Sequence, residues 1–217
     1  MPVTCTDGAF GELDDVVIDP GTRRLTHIIV KPADRHERAR LVPIETARSR
    51  DGSAGVTLGC TGAEVCERAP VQEAAYVRTG ESIEGGSDWD AGIQDMFAVT
   101  DYGTLGPEIL GAGMAMDYDQ HVGVSYHRIP KGCVEIRRTS AVTGRGGHHL
   151  GHVIGFVLED DATITSLVIE HGHLWGRRAV AIPGSAIDRF DTDELMVTLS
   201  VDDVEALKSL PAHHWWS

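Results

Sequence analysis

The sequence predicts a mainly β protein: two small β-barrels, each ending in a short C-terminal helix and related by internal duplication. Three observations predict it. Residues 11–19, GELDDVVID, align without a gap on residues 151–159, GHVIGFVLE. Both copies break into short runs rich in β-branched residues, bounded by turn residues. Aromatic residues are only 6% of the chain against 41% hydrophobic in all, so cores must be built from Val, Ile, Leu and Ala.

The elements follow in order within each copy. "LDDVVID" and "VIGFVLE" read as first strands, each followed by a turn signal, Asp19-Pro20-Gly21 or Asp160-Asp161. "LTHIIV" (25–30) and "ITSLVI" (164–169) complete a hairpin, and their nearly continuous apolar character predicts burial on both faces by a closed barrel. Pro43 and Pro183 follow the next apolar run and, lacking an N–H, should end its pairing. The alignment then matches residues 56–58 with 197–199 and Pro70 with Pro211. Thr61…Glu64 and Asp202…Glu205 read as capping boxes opening a short helix. Register sustained over some sixty positions marks a true repeat.

Three segments result: a barrel over 1–70, a partly ordered connector over 71–140, and a second barrel over 141–217. The connector opens on the acidic, Gly/Ser-rich "TGESIEGGSDWDAG", the composition of a solvated loop. Its "CVEIRR" reads as a strand leading into the second copy, and it holds too little apolar residue to close a third core. Barrels of about seventy residues are marginal alone, so the two should pack as an intramolecular pseudo-dimer.

The Gly before the first strand, the turn segment, the V-P or I-P step and the closing strand resemble the PRC-barrel family, which includes the photosynthetic reaction-centre H subunit and a ribosome-maturation factor. Residues 11–47 carry the pattern, and residues 151–187 carry it more fully. "HLWGRRAVAIPGSAI" is similar to the actinobacterial two-copy members. In the first copy "KPADRHERARLVPIETA" replaces the Gly-rich loop, which should therefore differ in shape. The resemblance implies a docking module that tunes a partner's assembly or electron transfer, without a shared catalytic centre.

Charge narrows the function classes. A net charge of −14 repels phosphate backbones, and the basic stretches at 35–40 and 137–138 are short, which disfavours nucleic acid and weakens an RNA-processing or ribosome-assembly role. No apolar run reaches the length of a membrane span, and no basic segment precedes an apolar run at the start, so a cytoplasmic protein is expected. The four cysteines lack a CxxC spacing and fit reduced thiols; Cys60 and Cys66 align with Val201 and Leu207 and read as core substitutes.

No G-x-S-x-G, Walker-type loop or G-x-G-x-x-G is present, so no enzyme is predicted and no cofactor is implied. The acidic pairs Asp14-Asp15, Asp160-Asp161 and Asp202-Asp203 read as turn and cap residues. Three histidines in "GGHHLGH", His148, His149 and His152, are candidate ligands for a transition metal, though the barrel itself does not require them. Trp175, followed by Arg177, and the terminal pair Trp215 and Trp216 are candidate contacts to a protein partner. Packing of these tryptophans on the protein's own barrel, or across a homodimer, is the alternative.

Overall fold

The computed structural model describes residues 1–34, 36–49, 55–78, 80–97, 121–172 and 177–210. It is mainly β, with curled sheets that make a half-barrel. Among the described residues no helix is long and apolar enough to cross a membrane.

The first sheet holds β1 (Pro2–Cys5), β2 (Gly8–Asp19), β3 (Arg24–Pro32), β4 (Arg40–Pro43), β5 (Ala47–Ser49) and β6 (Val56–Leu58), followed by the one-turn helix α1 (Gly62–Cys66). Three strands come next: β7 (Gln72–Arg78), β8 (Trp89–Phe97) and β9 (His121–Pro130). They form a separate sheet ordered β7-β9-β8. Then β10 (Val134–Arg137) returns to pair antiparallel with β2. The last sheet holds β11 (Ala141–Thr143), β12 (His149–Leu158), β13 (Ile164–His171), β14 (Arg178–Pro183), β15 (Ile187–Asp191) and β16 (Glu194–Val197), with helix α2 (Val201–Glu205) after it.

The first and last sheets share one strand order, β4-β3-β2-β1-β6-β5 and β14-β13-β12-β11-β16-β15. In each a single parallel pair, β1 with β6 or β11 with β16, joins otherwise antiparallel neighbours. Bulges fall at matching places. Asp14 is the extra residue between Leu13 and Asp15, and Ile154 is the extra residue between Val153 and Gly155. Matched by pairing, Val56 corresponds to Leu195, because Val3 pairs with one and Val142 with the other. The sequence alignment had slipped here by two residues.

The same slip displaced the second helix start. Thr61 caps α1, with Glu64 reaching back to its N–H at 2.7 Å, as expected. The cap of α2 is Ser200, not Asp202, and Asp203 completes the box at 2.9 Å. A hydroxyl with an acid three residues on meets the orphan N–H groups at both helix starts, and the shorter Asp serves where Glu stands in α1. Likewise the partner of Pro70 is Ser209: Arg40 bridges to the one and Val180 to the other.

The two sheets meet through their turns. Leu25 N–H donates to the Ala162 carbonyl and Ile164 N–H donates to the Arg23 carbonyl, both at 3.0 Å. Arg23 and Ala162 both take left-handed backbone, with φ of 55° and 65°. Residue and partner exchange roles, the hallmark of a two-fold contact. Around it one core cluster draws on both sheets, with Ile18, Ile28 and Leu58 from one and Phe156, Leu167 and Ile182 from the other.

Burial of both faces of β2 and β3 has a different cause from the closed barrel expected. Val17 and Ile29 point outward and are covered by Ala39, Val71 and Ile129. The segment 71–140 thus carries a sheet and an added strand that use an outer face of the first sheet as their core, which removes the need for many apolar residues of its own.

Gly11 and Gly151 sit where a neighbouring strand comes closest. A Cβ would lie 2.0 Å from the Lys31 carbonyl oxygen at the first and 2.1 Å from that of Glu170 at the second. Gly11→Ala should therefore cost about 1–3 kcal/mol in urea unfolding, the usual range for forced overpacking. Gly59→Ala, whose nearest neighbour would be at 3.6 Å, should change stability by less than about 0.5 kcal/mol.

Candidate functional site

The most unusual chemistry lies where β2, β8, β9 and β10 meet. The bulge at Asp14 turns Asp15 onto the outer face of β2, opposite Ile29 and on the side of Val17. Glu135, in the middle of β10, is fully buried. Two carboxylates in such a place are costly unless neutralised and hydrogen-bonded.

Both conditions are met. A bulge in β8 between Ala91 and Gln94 frees the Ile93 N–H, which donates to Glu135 Oε2 at 2.7 Å. Gly92 makes room, since a Cβ there would lie 2.1 Å from that oxygen. The other oxygen, Oε1, accepts from His127 Nδ1 at 2.6 Å. Burial, then the charge of Glu135 and that of Asp14, push the Asp15 carboxyl up to about 8. At neutral pH it keeps its proton and shares it with Glu135. Burial pulls the His127 imidazole down, but its hydrogen bond to Glu135 and the charges of Glu135, Asp15 and Asp14 raise it overall. The trio thus sets an acid that holds its proton and an imidazole that favours its charged form against the one buried carboxyl of Glu135.

The same strand reaches the last sheet. The Glu135 carbonyl accepts from Asp193 N–H at 3.0 Å, in the turn between β15 and β16. Asp193 accepts from Ser140 Oγ at 2.6 Å and pairs with Arg137 Nε at 3.3 Å. The arrangement is therefore a polar joint between three sheets. One ligand atom each from Asp15, His127 and Glu135 lies within 4.8 Å of the others, close enough to hold a small divalent cation. Such an ion would have to displace the Asp15 proton and the His127–Glu135 bond.

Asp14-Asp15, expected in a turn, lies within β2. Asp161 does serve a turn, accepting from Thr163 N–H at 3.0 Å, and Asp203 serves a cap. His148, His149 and His152 are exposed and line a cleft of about 470 Å³ with His171, Glu170 and Arg177. The rings of His149 and His152 lie 4.8 Å apart. His152 Nδ1 donates to the Thr139 carbonyl at 3.0 Å and His171 Nδ1 to that of Leu150 at 2.5 Å. Both therefore carry their proton on Nδ1 when neutral, which leaves Nε2 for a ligand.

Arg177 is exposed and pairs with Glu170 at 3.1 Å. Trp175, Trp215 and Trp216 lie outside the described residues. A cation–aromatic contact does occur, but in the third sheet: the Arg128 guanidinium lies 4.6 Å from the Trp89 ring centre, and Trp89 stacks on Tyr126. Cys60 and Cys66 pack against the core, and all four thiols are free. Burial, with the neighbouring Cys60, Asp7 and Cys66, pushes the Cys5 thiol up to about 11, far from the range of a reactive thiolate.

No family model matches the chain, and no curated protein matches it.

The joint predicts the direction of pH dependence. Folded Asp15 holds its proton up to about 8, whereas the unfolded side chain loses it near 3.8, so stability falls as pH rises between these values. The raised His127 acts in the same direction, with stability present below 6.5 and lost as pH rises through its folded value. The urea midpoint should therefore fall from pH 6 to pH 9. Asp15→Asn, which stays neutral, should flatten this slope; an unchanged slope would show that Asp15 is ionised throughout.

Proposed function

We propose that the protein is a non-catalytic interaction module of the PRC-barrel type, which tunes the assembly of a protein partner in the cytoplasm. Its two halves are duplicated small barrels, each with a short C-terminal helix, packed as an intramolecular pseudo-dimer. The observation that carries this reading is the reciprocal pairing of the two turns between sheets of equal strand order. It fits two copies of one unit held as a single rigid body, the form a docking platform needs. The deepest ionisable cluster also supports it, because its groups are engaged in holding sheets together. Arg177, together with Trp175, Trp215 and Trp216, forms the partner contact in this reading.

A second reading rests on the His-lined cleft: His149 and His152 are adjacent, and His152 and His171 can each offer Nε2 to a transition metal. Metal binding there would accompany docking or replace it.

Capture from native extract with the full chain, followed by mass spectrometry, identifies the partner, and calorimetry then measures its affinity. Replacing Trp175, Arg177, Trp215 and Trp216 by Ala should weaken binding at least tenfold while the melting temperature moves little. Equal binding by the variant, or its unfolding, contradicts the assignment of these residues to a partner. Elemental analysis of the purified protein tests the second reading: about one metal per chain, lost on replacing His149 and His152, supports it, and a metal-free protein removes it.

A further inference from the structure

The contact between the sheets is symmetric in its backbone but not in its side chains, and the difference leaves a cleft. Arg23 and Ala162 hold the same place in the two turns, with the same left-handed backbone and reciprocal carbonyl bonds. Arg23 uses its side chain to cross the contact: Nη1 donates to the Gly184 carbonyl at 3.1 Å. Gly184 opens the single 3₁₀ turn after Pro183, and its carbonyl also accepts from Ile187 N–H. Ile44 holds that place after Pro43, and its carbonyl accepts from Ala47 N–H in the same way. Facing Ile44 stands Ala162, a methyl group in place of a guanidinium; the described residues supply no second donor to the Ile44 carbonyl.

Here lies a cleft of about 570 Å³, bordered by both Ile44 and Ala162 and within the size range of small-molecule sites. Its floor is apolar, with Val16, Leu25, Ile28 and Phe156. Its rim carries four carboxylates, Glu45, Glu159, Asp160 and Asp161, none of them in an ion pair among the described residues. The two rim cations are engaged with backbone oxygens: Arg24 Nε donates to the Asp161 carbonyl at 2.9 Å, and Arg48 Nη1 to those of Glu45 and Ala47 at 2.8 Å.

We propose that this cleft binds an amphipathic cation, an alkyl guanidinium or alkylamine. Its head group takes the place that Arg23 fills on the opposite side, donating to the Ile44 carbonyl within the acidic rim. Its chain lies on the apolar floor, where burial contributes about 0.8 kcal/mol per methylene. The inference does not depend on the partner-docking reading, and neither fails with the other.

Titration calorimetry with n-octylguanidinium, kept below its micelle concentration, tests it. One site per chain is expected, with octanoate bound at least tenfold more weakly. Ala162→Arg should lower octylguanidinium affinity at least tenfold, because the new side chain reproduces the Arg23 contact and fills the cleft. The left-handed backbone there suits Arg, as it does at Arg23. If Ala162→Arg fails to fold, the surface double variant Glu45→Gln, Asp160→Asn should still weaken binding at least fivefold. Absence of saturable binding, equal binding of octanoate, or unchanged affinity in a folded variant overturns the proposal.

Discussion

Two backbone hydrogen bonds between turns, from Leu25 to Ala162 and from Ile164 to Arg23, set the relation of the first and last sheets. Their own free energy is small, of the order of 1 kcal/mol each. Their consequence is geometric. They fix a register in which Ile28 and Phe156 join one core cluster, so each sheet gains apolar neighbours that a unit of its size could not supply alone. The left-handed residues Arg23 and Ala162 bend the turns into this contact. Because the backbone arrangement is reciprocal, any inequality between the two sides must come from side chains, and the exchange of Arg for Ala is the largest one at the contact itself.

The third sheet is attached on a different principle. It has a small apolar patch, Val71 and Ile129 against Val17 and Ile29, and beside it the buried Asp15–Glu135–His127 joint. Apolar contact supplies attraction without direction, whereas the joint fixes orientation: the carboxyl of Glu135 has one N–H from β8, one imidazole from β9 and a protonated acid from β2. Each group is costly to bury alone, and each is tolerated because the others are present. Attachment of this sheet is thus sensitive to protons in a way that the contact between the two larger sheets is not.

Much of the fold was legible in the sequence, because strand periodicity and turn chemistry act locally. Pro43 and Pro183 marked strand ends and Thr61 with Glu64 marked a helix start, whereas Gly11 and Gly151, expected before the first strands, lie within them at a close strand approach. The alignment failed after residue 55, where Thr57-Leu58 can match Thr198-Leu199 by identity while the strand pairing sets them against Met196-Val197. The joint was not legible. Asp15 lies more than a hundred positions from His127 and Glu135, and by itself it reads as part of an acidic turn. A pair of acids inside an otherwise apolar strand, "LDDVVID", was the available signal. It took its meaning only from the strand that covers it. The cleft was hidden for a related reason, since Ala162 becomes informative only beside Arg23.

The central claim, that the reciprocal turns bind the two sheets into one cooperative body, is tested most directly by native-state hydrogen exchange at the amides of Leu25 and Ile164. If the claim holds, both exchange only through global unfolding, with equal protection matching the stability measured by denaturant. Fast exchange at these two amides, with core amides such as Ile28 and Leu167 still protected, would mean that the turns part while the sheets stay folded, and the account would be wrong.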